Sequence, residues 1–269
     1  MIPLSYIEEW RSQAPWQESY QIEQDLLISR MLIALFSDDF LSKKLAFRGG
    51  TALHKLYFNP AIRYSEDIDL VQLYAEPIGP VMKRINKVID FFEQKRSTDI
   101  KGHGATAKYK YNSEESDLPL KIKIEINCQE HASLLPLITK NHQVKNDWFS
   151  GSSEIITYDL NELLGSKLRA LYQRNKGRDL FDLYLSKDLE KFNPEVIVHC
   201  FYHYMNLSGN KPPTARQYQL NMEEKMKDPA FTNDMNGLID PDLKYEIEEA
   251  YNWFIKTILP LIDQLKPKS

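Results

Sequence analysis

The chain has 269 residues, 42% of them hydrophobic and 27% charged, with a formal net charge of -4. That length suits one elaborated domain or a domain with a helical appendage, and the composition excludes wholesale disorder. A mildly acidic balance also excludes a globally basic nucleic-acid binder, so any basic site has to be local.

Cys128 and Cys200 lie far apart with no CxxC spacing, which argues against a disulfide framework or a zinc knuckle and fits a reducing compartment. The opening MIPLSYIEEW has no basic stretch followed by an apolar run, so a secretory leader is not expected. The most apolar early run, Leu26 to Phe36, contains Arg30 and is too short to span a bilayer. A cytoplasmic location without membrane association is the expectation.

Taken in chain order, Ile22, Leu26, Ile33 and Phe36 recur at helical spacing, and residues 5–41 read as helical. A short strand follows at Leu45–Arg48 and is stopped by Gly49-Gly50. Thr51 is placed to cap a helix from Ala52 to Phe58. After a loop around Asn59-Pro60, a second strand runs from Asp67 to Leu73. Residues 80–94 have helical periodicity through Val81, Ile85, Val88, Ile89 and Phe92. Strands at Ala105–Tyr111 and Leu120–Asn127 flank a hairpin-like connection over 112–119. An irregular stretch leads to a β-like Glu154–Tyr158. Helices are then expected at 159–174, 178–187, 194–206, 213–226 and 241–265, with Ser208 to Pro213 the clearest loop. The layout is an α/β part over 1–158 followed by a helical region over 159–269.

The first chemical signal is Ser65-Glu66-Asp67-Ile68-Asp69-Leu70. In a strand, side chains alternate faces, so Ser65, Asp67 and Asp69 share one and Ile68 and Leu70 the other. Two carboxylates at i and i+2 repel unless a cation lies between them. Mg²⁺ commonly takes one or two protein carboxylates plus substrate phosphates. A lone DxD is more often a solvated strand end. Lys121-Ile122-Lys123-Ile124-Glu125-Ile126-Asn127 adds to it: three isoleucines face a core, and Lys121, Lys123, Glu125 and Asn127 face away. If this strand neighbours the DxD strand, Glu125 is a third acid of the kind two-metal phosphoryl transfer uses. An edge strand with one wet face explains it equally well.

Gly49-Gly50-Thr51 between strand and helix lets backbone amides approach a phosphate; a tight turn with a cap is the plainer reading. From Leu160, the residues Leu163, Leu164, Leu168 and Leu171 form an apolar stripe that encloses Lys167, with Arg174 on the same side. Glu162, Arg169 and Gln173 fall on the opposite, wet face. A lysine centred on a buried face is uncommon unless it is paired or snorkels out. It would reach a triphosphate, or it would form a salt bridge to the next helix. There Asp182 is ringed by apolar neighbours and wants a cation. Lys167, Arg169, Arg174, Lys176 and Arg178 make a local positive patch that suits NTP phosphates or an RNA backbone; for Lys176 and Arg169 a solvated turn is the duller explanation.

Together, Phe47-Arg48-Gly49-Gly50-Thr51-Ala52-Leu53 with Arg63-Tyr64-Ser65-Glu66-Asp67-Ile68-Asp69-Leu70 resembles the signature of the AbiEii/AbiGii toxin nucleotidyltransferases. The second signature is matched by Lys167 to Arg174 and Lys176 to Tyr184. The resemblance covers about residues 30–190. It implies an α+β fold: a DNA-polymerase-β-like nucleotidyltransferase core with a mixed sheet, followed by a mainly helical C-terminal region. It implies a Mg-dependent enzyme that moves a nucleotide from an NTP to an acceptor, the tRNA 3′ end in some relatives. It also implies a prokaryotic toxin–antitoxin or phage-defence system with a cognate antitoxin protein. Carried over by position, Asp67 and Asp69 are metal ligands, with Glu125 as the third acid, a further metal ligand that helps activate the attacking hydroxyl. Lys167 contacts triphosphate, Asp182 completes the site, and Gly49, Gly50 and Ser65 belong to the nucleotide cradle. Thr51, Arg174 and Arg178 are expected to bind the nucleotide with them. The family often has Gly-Ser where this chain has Gly49-Gly50-Thr51. Two rivals remain: a catalytically inactive NTP-binding regulator, against which the intact Asp67, Asp69, Lys167 and Asp182 argue, and a DxD nucleotide-sugar glycosyltransferase, in which no Gly-Gly-Thr helix is expected upstream.

Overall fold

The computed structural model describes residues 2–91, 96–102 and 104–266. The chain divides into two compact units. The first comprises residues 1–133, 137–158 and 237–242; the second comprises 134–136, 159–236 and 243–269.

The first unit opens with helices α1 (Leu4–Trp10) and α2 (Ser19–Phe36). The single helix expected over 5–41 is therefore two. Pro15 interrupts the run, and Glu18 caps α2 in a reciprocal capping box with Gln21. Strand β1 (Leu45–Arg48) leads directly into helix α3 (Gly49–Leu56), followed by β2 (Asp67–Gln72) and α4 (Gly79–Val88). The expected helix through residue 94 ends early, and its last residues, Phe92 among them, lie outside the described residues. Then come β3 (Arg96–Lys101), β4 (Gly104–Asn112), β5 (Pro119–Asn127), β6 (Ile138–Val144) and β7 (Gly151–Thr157).

These strands form one mixed sheet in the order β3-β4-β5-β2-β1-β7-β6. Pairs β2/β5 and β1/β7 are parallel and the rest antiparallel. One face is apolar: Ile68, Leu70, Ala105, Ala107, Tyr109, Ile122, Ile124 and Ile126 pack with Ile22, Leu26, Val81 and Ile85 in a continuous core. The alternation along β5 sends Lys121, Lys123, Glu125 and Asn127 to the other face. Residues 237–242 return to this unit, where Leu238 O accepts from Tyr64 N and Gly237 O from Gln21.

The second unit is helical: α5 (Leu160–Gln173), α6 (Gly177–Ser186), α7 (Pro194–Leu207), α8 (Ala215–Lys225), α9 (Pro229–Thr232), α10 (Ile247–Thr257) and α11 (Leu259–Gln264). The helix expected over 241–265 starts later and splits at Ile258, ahead of Pro260 in the first turn of α11. Glu162, expected on the wet face of α5, is buried. Its carboxylate accepts from Leu134 N, Leu135 N and the Tyr204 hydroxyl, three donors that compensate a charge taken out of water. Among the described residues no helix is long and apolar enough to cross a membrane.

Candidate active site

The carboxylates sit where β1, β2 and β5 run side by side. Asp69 is opposite Arg48 on β1 and Glu125 on β5, and Asp67 is opposite Lys123. The neighbouring strand that the DxD required is therefore present, and Glu125 stands beside Asp69 on the same face. Lys123 Nζ lies 3.3 Å from Asp67 Oδ2 and 3.7 Å from Glu125 Oε1. Partial burial works to lower the pKa of its ammonium, but Asp67 and Glu125 outweigh this and hold it above the usual lysine range.

Gly49 is fixed by this geometry. Its φ of +82° is one that side chains rarely adopt, and a Cβ built on it would stand 2.2 Å from Asp69 Oδ2. The first turn of α3 therefore packs its bare backbone against the carboxylate. The helix starts two residues before the expected cap, so Thr51 does not cap it. Instead the Thr51 hydroxyl donates to the Asp67 carbonyl oxygen at 2.5 Å. Its single proton is thereby used, so the Ser65 hydroxyl, 2.7 Å away, donates to Thr51. Thr51 and Ser65 thus stitch α3 to the entrance of β2. Arg48 supplies a cation to which the sequence pattern assigns no role. Its guanidinium bonds Glu130 at 2.7 Å. Burial opposes its charge, and Glu130, Tyr158 and Asp69 more than compensate.

The donor set fits a hard divalent cation. Asp67 and Asp69 offer oxygens from one face, and the missing Gly49 side chain lets the Asp69 carboxylate lie against the start of α3. Among the described residues no three His, Cys, Asp or Glu side chains form a group that could hold a metal ion by themselves. A two-carboxylate site leaves the rest of the shell to phosphate and water, as magnesium prefers.

In the second unit, the buried Lys167 is paired. Its Nζ lies 2.8 Å from Asp182 Oδ2 and 3.3 Å from Asp179 Oδ1, and both aspartates are fully buried. Arg174 caps α5 and grips Asp179 in a bidentate pair at 2.6 and 2.8 Å. The cation that Asp182 wanted is thus Lys167. The positive patch expected around these residues is not a free one. Lys176 and Arg178 both approach Asp234, at 3.5 Å each, and Arg169 donates to Tyr204 O while stacking over that ring. Asp234, distant in sequence, thus pairs with two cations of the run.

Comparison with known proteins bears on the family and the fold. A family model described as nucleotidyl transferase AbiEii toxin, type IV TA system, matches residues 30–257. Among solved structures, the chain is similar to MenT4, a nucleotidyltransferase toxin from Mycobacterium tuberculosis H37Rv. The TM-score is 0.64 at 15% identity, covering 99% of this chain and 91% of that one. It is also similar to JHP933 from Helicobacter pylori, with a TM-score of 0.56 at 15% identity over 92% and 94% of the two chains. At such identity these likenesses establish the fold alone. No curated protein matches the chain in sequence.

Proposed function

Because the chain belongs to the AbiEii family of nucleotidyl transferase toxins of type IV toxin–antitoxin systems, we propose that Asp67 and Asp69 are the centre of transfer from an NTP to an RNA acceptor, the tRNA 3′ end. The observation that carries this reading is the packing of Gly49 against Asp69, with Glu125 in register beside it. It gives one face of the sheet a pair of carboxylates, an adjoining acid and a bare helix N-terminus suited to phosphate. In the reaction, the acceptor hydroxyl oxygen forms a bond to the α-phosphorus, the bond between that phosphorus and its bridging oxygen breaks, and pyrophosphate leaves. Glu125, half-exposed beside Asp69, is placed to take the hydroxyl proton. Asp67 and Asp69 would hold a magnesium ion, which would supply charge to offset the triphosphate. Gly49 and Gly50 present backbone amides to the phosphates, Arg48 keeps positive charge next to Asp69, and Thr51 and Ser65 hold the turn in place. Lys167, Asp182, Arg174 and Arg178 act by ordering the helices that carry them, Lys167 and Asp182 through their own ion pair. A cytoplasmic setting and a cognate antitoxin that restrains the enzyme complete the reading.

The test is incubation of the purified protein with Mg²⁺, each labelled NTP in turn and total tRNA. Label is expected to enter RNA with the wild-type chain, and to be lost in Asp67→Asn and Asp69→Asn while melting is unchanged. Undiminished transfer by both variants would remove the pair from the reaction.

A further inference from the structure

The same face of the sheet extends beyond the carboxylates, and its chemistry changes sign. Strands β4 and β5 pair with Lys108 opposite Lys123 and Lys110 opposite Lys121. All four side chains stand on the face away from Ala107, Tyr109, Ile122 and Ile124, which are buried. Lys110 and Lys121 are exposed, and Lys108 and Lys123 are half-buried. Strand geometry sets such positions about 4.8 Å apart across the pair and about 6.7 Å apart along each strand. Like charges directly opposite one another destabilise a sheet, and here two such pairs are consecutive in an acidic protein. Acids on this face do not cancel them. Glu125 and Asp67 are engaged by Lys123, and Asp99, opposite Thr106 on β3, pairs with Lys101 at 2.7 Å. Lys108, Lys110 and Lys121 form no ion pair with a described residue. A repulsive cluster that lowers stability at the border of a reaction centre is what an anion-binding surface requires.

We infer that Lys108, Lys110 and Lys121 form the docking surface for the phosphate backbone of the nucleic-acid acceptor. This rests on the transferase reading above and gives its acceptor a place to bind. The patch is in register with the centre: Asp67 is beside Lys123, and Lys123 is beside Lys108. A strand lying across the lysines is led to the carboxylates one β-spacing at a time. Three ammonium groups on a rigid sheet bind backbone charge without reading bases, so the surface gives affinity and position and leaves sequence choice to other parts of the protein.

The test uses the full-length protein, total tRNA and filter retention across a salt series. In Lys108→Gln/Lys110→Gln/Lys121→Gln, tRNA affinity is expected to fall at least about tenfold at moderate salt. The slope of log affinity against log salt should flatten by about two units, at roughly 0.7–0.9 for each phosphate no longer neutralised. NTP binding should be unchanged, and the melting temperature unchanged or higher, because the like-charge pairs are relieved. The matching triple arginine variant should retain affinity. Unchanged tRNA affinity and slope in the glutamine variant would overturn the proposal, as would equal loss in the arginine variant. Displacement of tRNA by polyglutamate at matched charge would also overturn it, by pointing to acidic protein segments. If the wild-type chain transfers to no acceptor while RNA binding still depends on these lysines, the surface stands and the transferase reading fails. If transfer to tRNA proceeds equally in the glutamine variant, the surface falls and the transferase reading stands.

Discussion

Replacing Lys167 by alanine removes the cation between two fully buried carboxylates. The ammonium contacts Asp182 at 2.8 Å and Asp179 at 3.3 Å, and Lys167 itself is only 6% exposed. Asp179 keeps the bidentate hold of Arg174, and Asp182 loses the ammonium at 2.8 Å. Breaking a buried pair by removing one partner costs about 3–5 kcal/mol, because the remaining charge is left uncompensated. For a chain of this size that corresponds to a fall in melting temperature of about 10 °C. The double variant Lys167→Met/Asp182→Leu should recover most of the loss, since apolar replacement of both members of a buried pair is often neutral. The assay is thermal melting of the ligand-free protein, with transfer measured below the transition. Melting of Lys167→Ala within a degree or two of wild type, together with abolished transfer, would refute this reasoning. It would place Lys167 on the triphosphate, as the family resemblance implies.

Three further outcomes follow from local geometry. Gly49→Ala should sharply reduce transfer in a Mg²⁺-NTP assay and lower stability, because its Cβ would collide with Asp69 and the backbone there has φ +82°; normal activity would show that Asp69 can move freely. Gly165→Ala should destabilise by about 1–3 kcal/mol in denaturant melts, since its Cβ would meet Cys200 Cβ at 2.4 Å and the Ile197 carbonyl oxygen at 2.9 Å where α5 crosses α7. Burial, aided by the charge of Glu114 and opposed by its backbone N–H, pushes the Glu23 carboxyl up to about 7. Between the ordinary carboxylate range and pH 7 the folded chain then holds more protons at this site than the unfolded one, so its contribution to stability is lost as pH rises. Glu23→Gln should therefore melt higher than wild type at pH 8 and near wild type at pH 4.5; the same difference at both values would exclude the linkage.

Much of the fold is legible because its strands are written in period two. The Ile122, Ile124, Ile126 alternation gives both the strand and its buried face, and Leu45–Arg48, buried on both faces, reads to its observed bounds as a short apolar run stopped by glycines. Strands β3 and β6 carry no such signal. Arg96–Lys101 is almost wholly exposed at the edge of the sheet, and Ile138–Val144 forms the opposite edge with polar residues on the solvent side. An edge strand is specified by its partner's unpaired backbone groups more than by its own side chains, so a pattern of apolar alternation misses it. The long terminal helix fails for a different reason: its periodicity continues past Ile258, and only Pro260 marks the restart.

The candidate site divides along the same line. Asp67 and Asp69 can be placed on one face from spacing alone, whereas the approach of Glu125 needs a strand order that no local pattern contains. Gly49 stands out in sequence for its flexibility, but its actual constraint is the Asp69 carboxylate that occupies the space of its absent side chain. Charge is the least legible quantity. Lys167, Arg169, Arg174, Lys176 and Arg178 form a basic run in sequence, yet each meets a partner within the second unit, Asp179, Asp182, Tyr204 or Asp234. The lysines of β4 and β5 look evenly spaced and ordinary in sequence, yet antiparallel register stacks them into opposed pairs. A charge's meaning is set by what the fold puts within about 4 Å of it. The run that looks basic is partly paired, with Arg174 and Lys176 about half exposed, and lysines with no ion partner among the described residues lie on the sheet beside the carboxylates.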